Sequence, residues 1–178
     1  MLNIEIVGPK ALVRVHHERA YDFDEKRGLW LRKQVDDDEV IPNLITNAGR
    51  VQLHEQCYET SGSGAILTNG FNWIGLDDAD ATPSETDTAL PDELVVGVAP
   101  GLERAQGTVT VPTGALTQTT IAKTFTFTGS TQIVNMCALF TVTGPPVAGI
   151  MAHEVNFTDR TLVTNDTLTI TYTITLGA

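Results

Sequence analysis

Leu168-Thr-Ile-Thr-Tyr-Thr-Ile-Thr-Leu176 is the stretch that decides the fold class. Leu168, Ile170, Tyr172, Ile174 and Leu176 share one parity, and Thr169, Thr171, Thr173 and Thr175 share the other. Successive side chains of a strand point to opposite faces, so a strict period of two marks a strand with one buried face and one wet face. Working outward, Lys123 to Thr128 alternates in the same way, with Phe125 and Phe127 turned inward. Gln132 to Val142 is apolar on both parities (Ile133, Val134, Met136, Ala138, Leu139 and Phe140), which predicts a central strand covered on both faces. Thr108 to Val111, Val147 to Phe157, Leu94 to Val98 and Gly70 to Leu76 add further strands. Gly129-Ser130, Gly144-Pro145-Pro146 and Asn165-Asp166 supply the turns between them. Short strands punctuated this often predict a mainly β fold, an antiparallel β-sandwich of jelly-roll-like type.

The remaining chain divides unevenly. Thr46 to Tyr58 predicts one short helix capped by Thr46 or Asn47, with Ala48, Val51, Leu53, Cys57 and Tyr58 on its apolar side. Gly49 weakens that helix. Residues 1–40 alternate strand-like pieces (Ile4 to Val7, Ala11 to His16, Leu29 to Lys33) with the charged stretches Asp22 to Arg27 and Asp36 to Glu39. Their hydrophobics are too sparse for a core of their own. The expected organisation is therefore an N-terminal arm or hairpin over 1–40 and a β-sandwich domain over 41–178. A length of 178 residues fits one such core.

Charge sharpens the division. The net charge is −11, yet residues 104–178 hold three acids (Glu154, Asp159, Asp166) and three bases (Arg104, Lys123, Arg160). The whole excess lies in residues 1–103, and the final 75 residues carry 20 threonines instead. Threonine is β-branched and favours strands, and its hydroxyl keeps a sheet face soluble. An acidic chain without clustered Lys or Arg predicts neither nucleic acid nor anionic membrane as a partner. No run approaches the length of a spanning helix, and the N-terminus lacks a signal-peptide pattern, so manufacture in the cytoplasm is expected. Cys57 and Cys137 lack metal-binding or redox spacing and read as two buried thiols.

The search for chemistry yields no catalytic, cofactor-binding or metal-ligating residue. His16-His17, His54 and His153-Glu154 lack the i, i+4 pairing of a helical zinc site, and adjacent histidines on a strand point to opposite faces. Asp77-Asp78-Ala79-Asp80 invites a calcium reading, but the EF-hand order is absent and a solvated acidic turn accounts for it better. Ser61 and Ser63 stand beside glycines without a nucleophile elbow. His54 precedes Cys57 by three positions, but Cys57 sits on the apolar stripe, where thiols pack. Gly62 and Gly64 lack the Lys-Ser/Thr that completes a phosphate loop. Aromatic content of 6% is poor for a sugar-stacking cleft. A non-enzymatic protein is expected.

One resemblance bears on function. Leu44-Ile-Thr-Asn-Ala-Gly-Arg50, then Phe71-Asn-Trp-Ile-Gly-Leu76, then Ala81-Thr-Pro-Ser-Glu-Thr-Asp-Thr-Ala-Leu-Pro-Asp-Glu93 resembles a diffuse family of phage virion proteins, tail-fibre-like or head-decorating. The family pattern runs TNAGR, a short helix, IALG, a Thr/Ala/Pro loop, SDTAL..E and a Thr-rich β half. The match spans residues 44–93, and the β half agrees in character only. Asp77-Asp78 stands where the family tends to have Gly-Thr-Gly, and Pro91 interrupts the last motif. The resemblance implies a structural component of the virion, first a capsid decoration (cement) protein bound to the major capsid protein or other virion proteins. It would be a homo-oligomer, with a trimer favoured. A tail-fibre, baseplate or neck protein is the alternative. A glycan- or host-receptor-binding module is third, and a cluster of exposed Trp30 and Trp73 would support it. The motifs are structural, so no active-site residue carries over. Physically, Asp87 or Thr88 suits a turn, Leu90 its buried anchor, and Arg50 an ion pair with the acidic loop.

Overall fold

A computed structural model describes residues 10–24, 27, 29–46, 49, 70–110, 118–141 and 149–175. Ten strands run through them, all paired antiparallel. They are β1 (Lys10–Asp24), β2 (Leu29–Gln34), β3 (Glu39–Ile45), β4 (Trp73–Asp77), β5 (Ala105–Gln106), β6 (Thr108–Thr110), β7 (Gln118–Thr126), β8 (Thr131–Phe140), β9 (Met151–Val163) and β10 (Thr167–Thr175). β10 realises the alternation that predicted it. Leu168, Ile170 and Tyr172 are buried, while Thr169, Thr171 and Thr173 are only half-buried.

Two sheets face each other. The first holds β1, β2, β6, β7 and β10 with the start of β3; the second holds β4, β5, β8 and β9 with the end of β3. β3 changes sheet along its length. Glu39 to Asn43 pair with β1, and Leu44 and Ile45 pair with Glu154 and His153 of β9. Pro42 stands where β3 has one neighbour, so its missing N–H is tolerated. A second crossing lies at Gly107, the single residue between β5 of the second sheet and β6 of the first. Its N–H donates to Asn72 O, and a Cβ there would meet Ile121 Cγ2 at 2.8 Å, so the corner requires glycine. The order β5-β4-β8-β9-β3-β1-β10-β7-β6 is thus a sandwich whose sheets share β3 on one side and are linked on the other by the chain at Gly107. β10 with β7 and β9 with β8 nest, with crossings between sheets at Phe127 to Ser130 and Thr164 to Asp166, the jelly-roll-like feature.

The core lies between the sheets. Val13, Val15, Phe125 and Ile170 on one side meet Ile74, Leu76, Leu139 and Leu162 on the other. Tyr172 O–H donates to Cys137 Sγ at 3.3 Å across this layer. Full burial of one such large side chain is worth about 1.5–3 kcal/mol, so this layer is the main stabilising element. A smaller core covers the outer face of the second sheet, where Met136, Ala138, Phe140 and Met151 pack under Leu90. β8 is therefore covered on both faces, as its double parity predicted: Val134, Cys137 and Leu139 serve the first core, and Met136, Ala138 and Phe140 the second.

Two expectations come out differently. Leu94 to Val98 is a turn rather than a strand, because Val98 and Ala99 N–H both donate to Val95 O. Only Leu94 and Ala99 are buried there, so the alternation of valines does not reflect a half-buried face. The boundary expected at residue 40 falls inside β3, and β1 is built into the first sheet between β10 and β3. A sandwich strand needs only alternate residues inward, and Val13 and Val15 suffice. What projects is shorter. β10 begins opposite Glu18, so Arg19 to Gln34 continues as a two-stranded β1–β2 ribbon. The strand expected at Ile4 to Val7 and most of the helix expected at 46–58 lie outside the described residues.

Candidate functional site

The segment from Asp77 to Glu93 is laid over the second sheet by its own polar side chains. Asp77 is fully buried; one carboxylate oxygen accepts from Ala79 N–H and the other from Asp92 N–H, so the acid ties both ends of the segment together. Burial holds its carboxyl above the usual range. Asp87 closes a turn: Ser84 N–H donates to Asp87 Oδ2 at 2.8 Å, and Asp87 N–H donates to Ser84 O at 3.0 Å. Leu90 is buried three residues later, as the turn reading anticipated. At the end of the segment, Glu93 accepts a two-pronged ion pair from Arg104, whose guanidinium lies 3.5 Å from the Phe140 ring centroid. Paired carboxylate and aromatic face together accommodate an almost buried cation.

Beneath this segment lies Glu154 of β9, 1% exposed. Burial first, and then the neighbouring Asp87 carboxylate, push its carboxyl up to about 7. Its Oε2 is buried without a hydrogen-bond partner. His153 points the other way, into the main core, where burial pulls its imidazole down to about 4 and its ring centroid lies 6.4 Å from that of Tyr172. Neighbours in a strand face opposite sides, so the His153-Glu154 dipeptide gathers no joint site.

A second polar cluster sits at the base of the ribbon. His17 is buried, with Nδ1 2.9 Å from Asp36 Oδ2 and Nε2 3.3 Å from Asp166 Oδ2. Arg19 Nε also donates to Asp166 Oδ2, at 3.4 Å. Asp166 further accepts Val163 N–H and so closes the turn before β10, where Asn165 takes the left-handed φ of 71° that asparagine tolerates. Arg160 lies between Asp36 and Glu39, at 3.6 and 3.0 Å. On the opposite face of β1, His16 Nδ1 meets Asp38, and that hydrogen bond holds its imidazole above the ordinary value. The acidic run Asp36 to Glu39 is thus a connection clamped to both histidines and to Arg160. It lines a shallow open depression with Val35 and Thr158. Among the described residues no three His, Cys, Asp or Glu side chains are arranged to hold a metal ion.

Other singled-out residues separate. Trp30 is exposed on the ribbon, whereas Trp73 packs on the smaller core of the second sheet, so the two form no common stacking platform. Asp78 accepts from Gln132 at 2.7 Å, on the far side of the turn that Asp77 closes. Cys137 is a buried free thiol that burial pushes up to about 12. His54, Cys57, Ser61, Ser63, Gly62, Gly64 and Arg50 lie outside the described residues.

The TNAGR motif finds a structural use. Thr46 N–H donates to Ala152 O, its hydroxyl donates to Met151 O, and the same hydroxyl accepts Gly49 N–H at 3.0 Å, the bond of a helix N-cap. A Cβ on Gly49 would stand 2.6 Å from Ala152 O, so only glycine lets the chain pass this close to β9.

Sequence reasoning offered Trp30 as an exposed aromatic but missed the other outward-facing apolar groups. Phe23 and Trp30 are opposite residues of the ribbon, 44% and 43% exposed, with ring centroids 5.3 Å apart. Leu29 is 46% exposed beside them. Val96 and Val98, on the turn after the acidic segment, are 65% and 68% exposed. The signal was present as aromatic and aliphatic residues inside charged stretches, but exposure is set by where β10 ends. Compared with protein-family models, with curated proteins and with solved structures, the chain gives no match.

Proposed function

We propose that this protein is a non-catalytic structural component of a bacteriophage particle, acting first as a capsid decoration (cement) protein. It would bind the major capsid protein or other virion proteins and associate with its own copies, with a trimer favoured. The observation that carries the reading is a doubly packed body that presents Phe23, Leu29 and Trp30 outward on a ribbon and Val96 and Val98 on a turn. Exposed apolar groups placed this way serve contact with other proteins. The motif residues behind the resemblance to virion proteins also have structural employment. Thr46 and Gly49 dock the chain on β9, and Asp87 and Leu90 seat the acidic segment on the second sheet. A charge of −11 keeps free copies soluble before they dock.

Electron cryomicroscopy of particles carrying the protein tests the assignment. Density on the capsid faces is the expected result. Density confined to the tail, baseplate or neck would replace cement with the tail reading, and absence from the particle would overturn both.

A further inference from the structure

Two exposed apolar features leave the sandwich at one end and on opposite flanks. β1 loses β10 after Glu18, which pairs with Thr167, and runs on as the ribbon. Thr167 pairs on its other side with Thr126 of β7, and Thr128 N–H donates to Pro100 O, which seats the Val95 to Ala99 turn beyond β7 at the same end. A two-stranded ribbon is marginal in water unless another surface covers it. This one nevertheless presents a tilted Phe23–Trp30 contact, with Leu29 also exposed. The turn is held by Val95 O and by buried Ala99 and Leu102, yet it carries the two most exposed large apolar side chains among the described residues.

Charge follows the same division. Residues 18–34 contain five bases (Arg19, Lys26, Arg27, Arg32, Lys33) against four acids. Residues 77–93, immediately before the valine turn, contain seven acids and no base; with Asp77 buried and Glu93 paired to Arg104, Asp78, Asp80, Glu85, Asp87 and Asp92 supply the surface charge. An aromatic, weakly basic donor and an aliphatic, strongly acidic acceptor are complementary in both terms. We infer that the ribbon of one copy docks on the Val96–Val98 turn and adjoining acidic segment of a second copy. Donor and acceptor occupy different flanks of the same molecule, so the contact is head-to-tail and generates a ring where its rotation closes. The inference rests on reading the chain as a protein that acts by contact, and it names the self-contact. It is tested on the isolated protein, so its failure and a failure to find the protein on particles are separate results.

The test is sedimentation velocity on the full chain and two surface variants, Trp30→Asp for the donor and Val96→Asp with Val98→Asp for the acceptor. The wild type sediments as a multiple of 19.2 kDa. Each variant alone sediments as a single chain with an unchanged unfolding midpoint. Mixed, they form a one-to-one pair, because each keeps the half the other has lost. Lys33→Glu, an exposed change outside any packing, weakens self-association by about tenfold or more, a loss typical of a reversed charge in a contact. A monomeric wild type overturns the inference. So does an acceptor variant that self-associates like the wild type, which would mean ribbon-to-ribbon contact, and so does a mixture that fails to pair.

Discussion

Glu154 makes the stability of this protein fall as pH rises through neutrality. An unfolded chain releases that proton near 4.5, whereas the folded protein keeps it to about 7, because burial and Asp87 both disfavour the second charge. Between these values the folded state binds more protons than the unfolded state, so raising the pH draws the equilibrium toward unfolding. Stability from this group is complete below about 4.5 and lost by the time the pH exceeds about 7. A displacement of this size corresponds to about 3 kcal/mol. Glu154→Gln keeps the shape and a donor toward Asp87 but carries no titrating proton. Urea unfolding followed by tryptophan fluorescence, from mildly acidic to mildly alkaline pH, measures the difference. The variant should equal the wild type at the acid end and exceed it by about 3 kcal/mol at the alkaline end. His16, whose raised imidazole also favours acid conditions, is common to both proteins and cancels. Identical pH slopes in the two proteins would refute the reasoning.

Gly101→Ala should lower stability by more than about 2 kcal/mol in the same assay, since Gly101 has φ of 90° and an added Cβ would collide with Thr126 O. Gly49→Ala should also destabilise, by about 1–3 kcal/mol, through its approach to Ala152; an unchanged midpoint would remove the close-passage account of that glycine. Arg104→Ala leaves Glu93 charged and almost buried, with an expected cost of about 3–5 kcal/mol. Replacing both partners by apolar residues of similar size should cost much less, and equal losses in the single and double variants would argue against the pair.

How much of this was legible depends on which residues carried the signal. β10 was legible because one sheet face is buried and its Thr and apolar sets never mix. β8 was legible because Met136, Ala138 and Phe140 face a second cover while Val134, Cys137 and Leu139 face the first. β3 was not. It opens with Glu39, contains Pro42 and changes sheet midway, so no single alternation runs through it. Val96 and Val98 imitated a strand because parity is blind to hydrogen bonding within a turn. The role of Asp87 and Leu90 was local enough to read. The clamp of His17 by Asp36 and Asp166 was not, since 149 positions separate His17 from Asp166 and only the β1–β10 register unites them.

The corner at Gly107 has a consequence for the ends of the strand ladder. Strand edges are where β proteins polymerise out of control, and here the two end strands of the ladder are only Ala105–Gln106 and Thr108–Thr110, turned one into the other by a single glycine, so each offers little length for a foreign strand to extend. The six-residue β2, which pairs with β1 alone on the ribbon, is a longer edge than either of them.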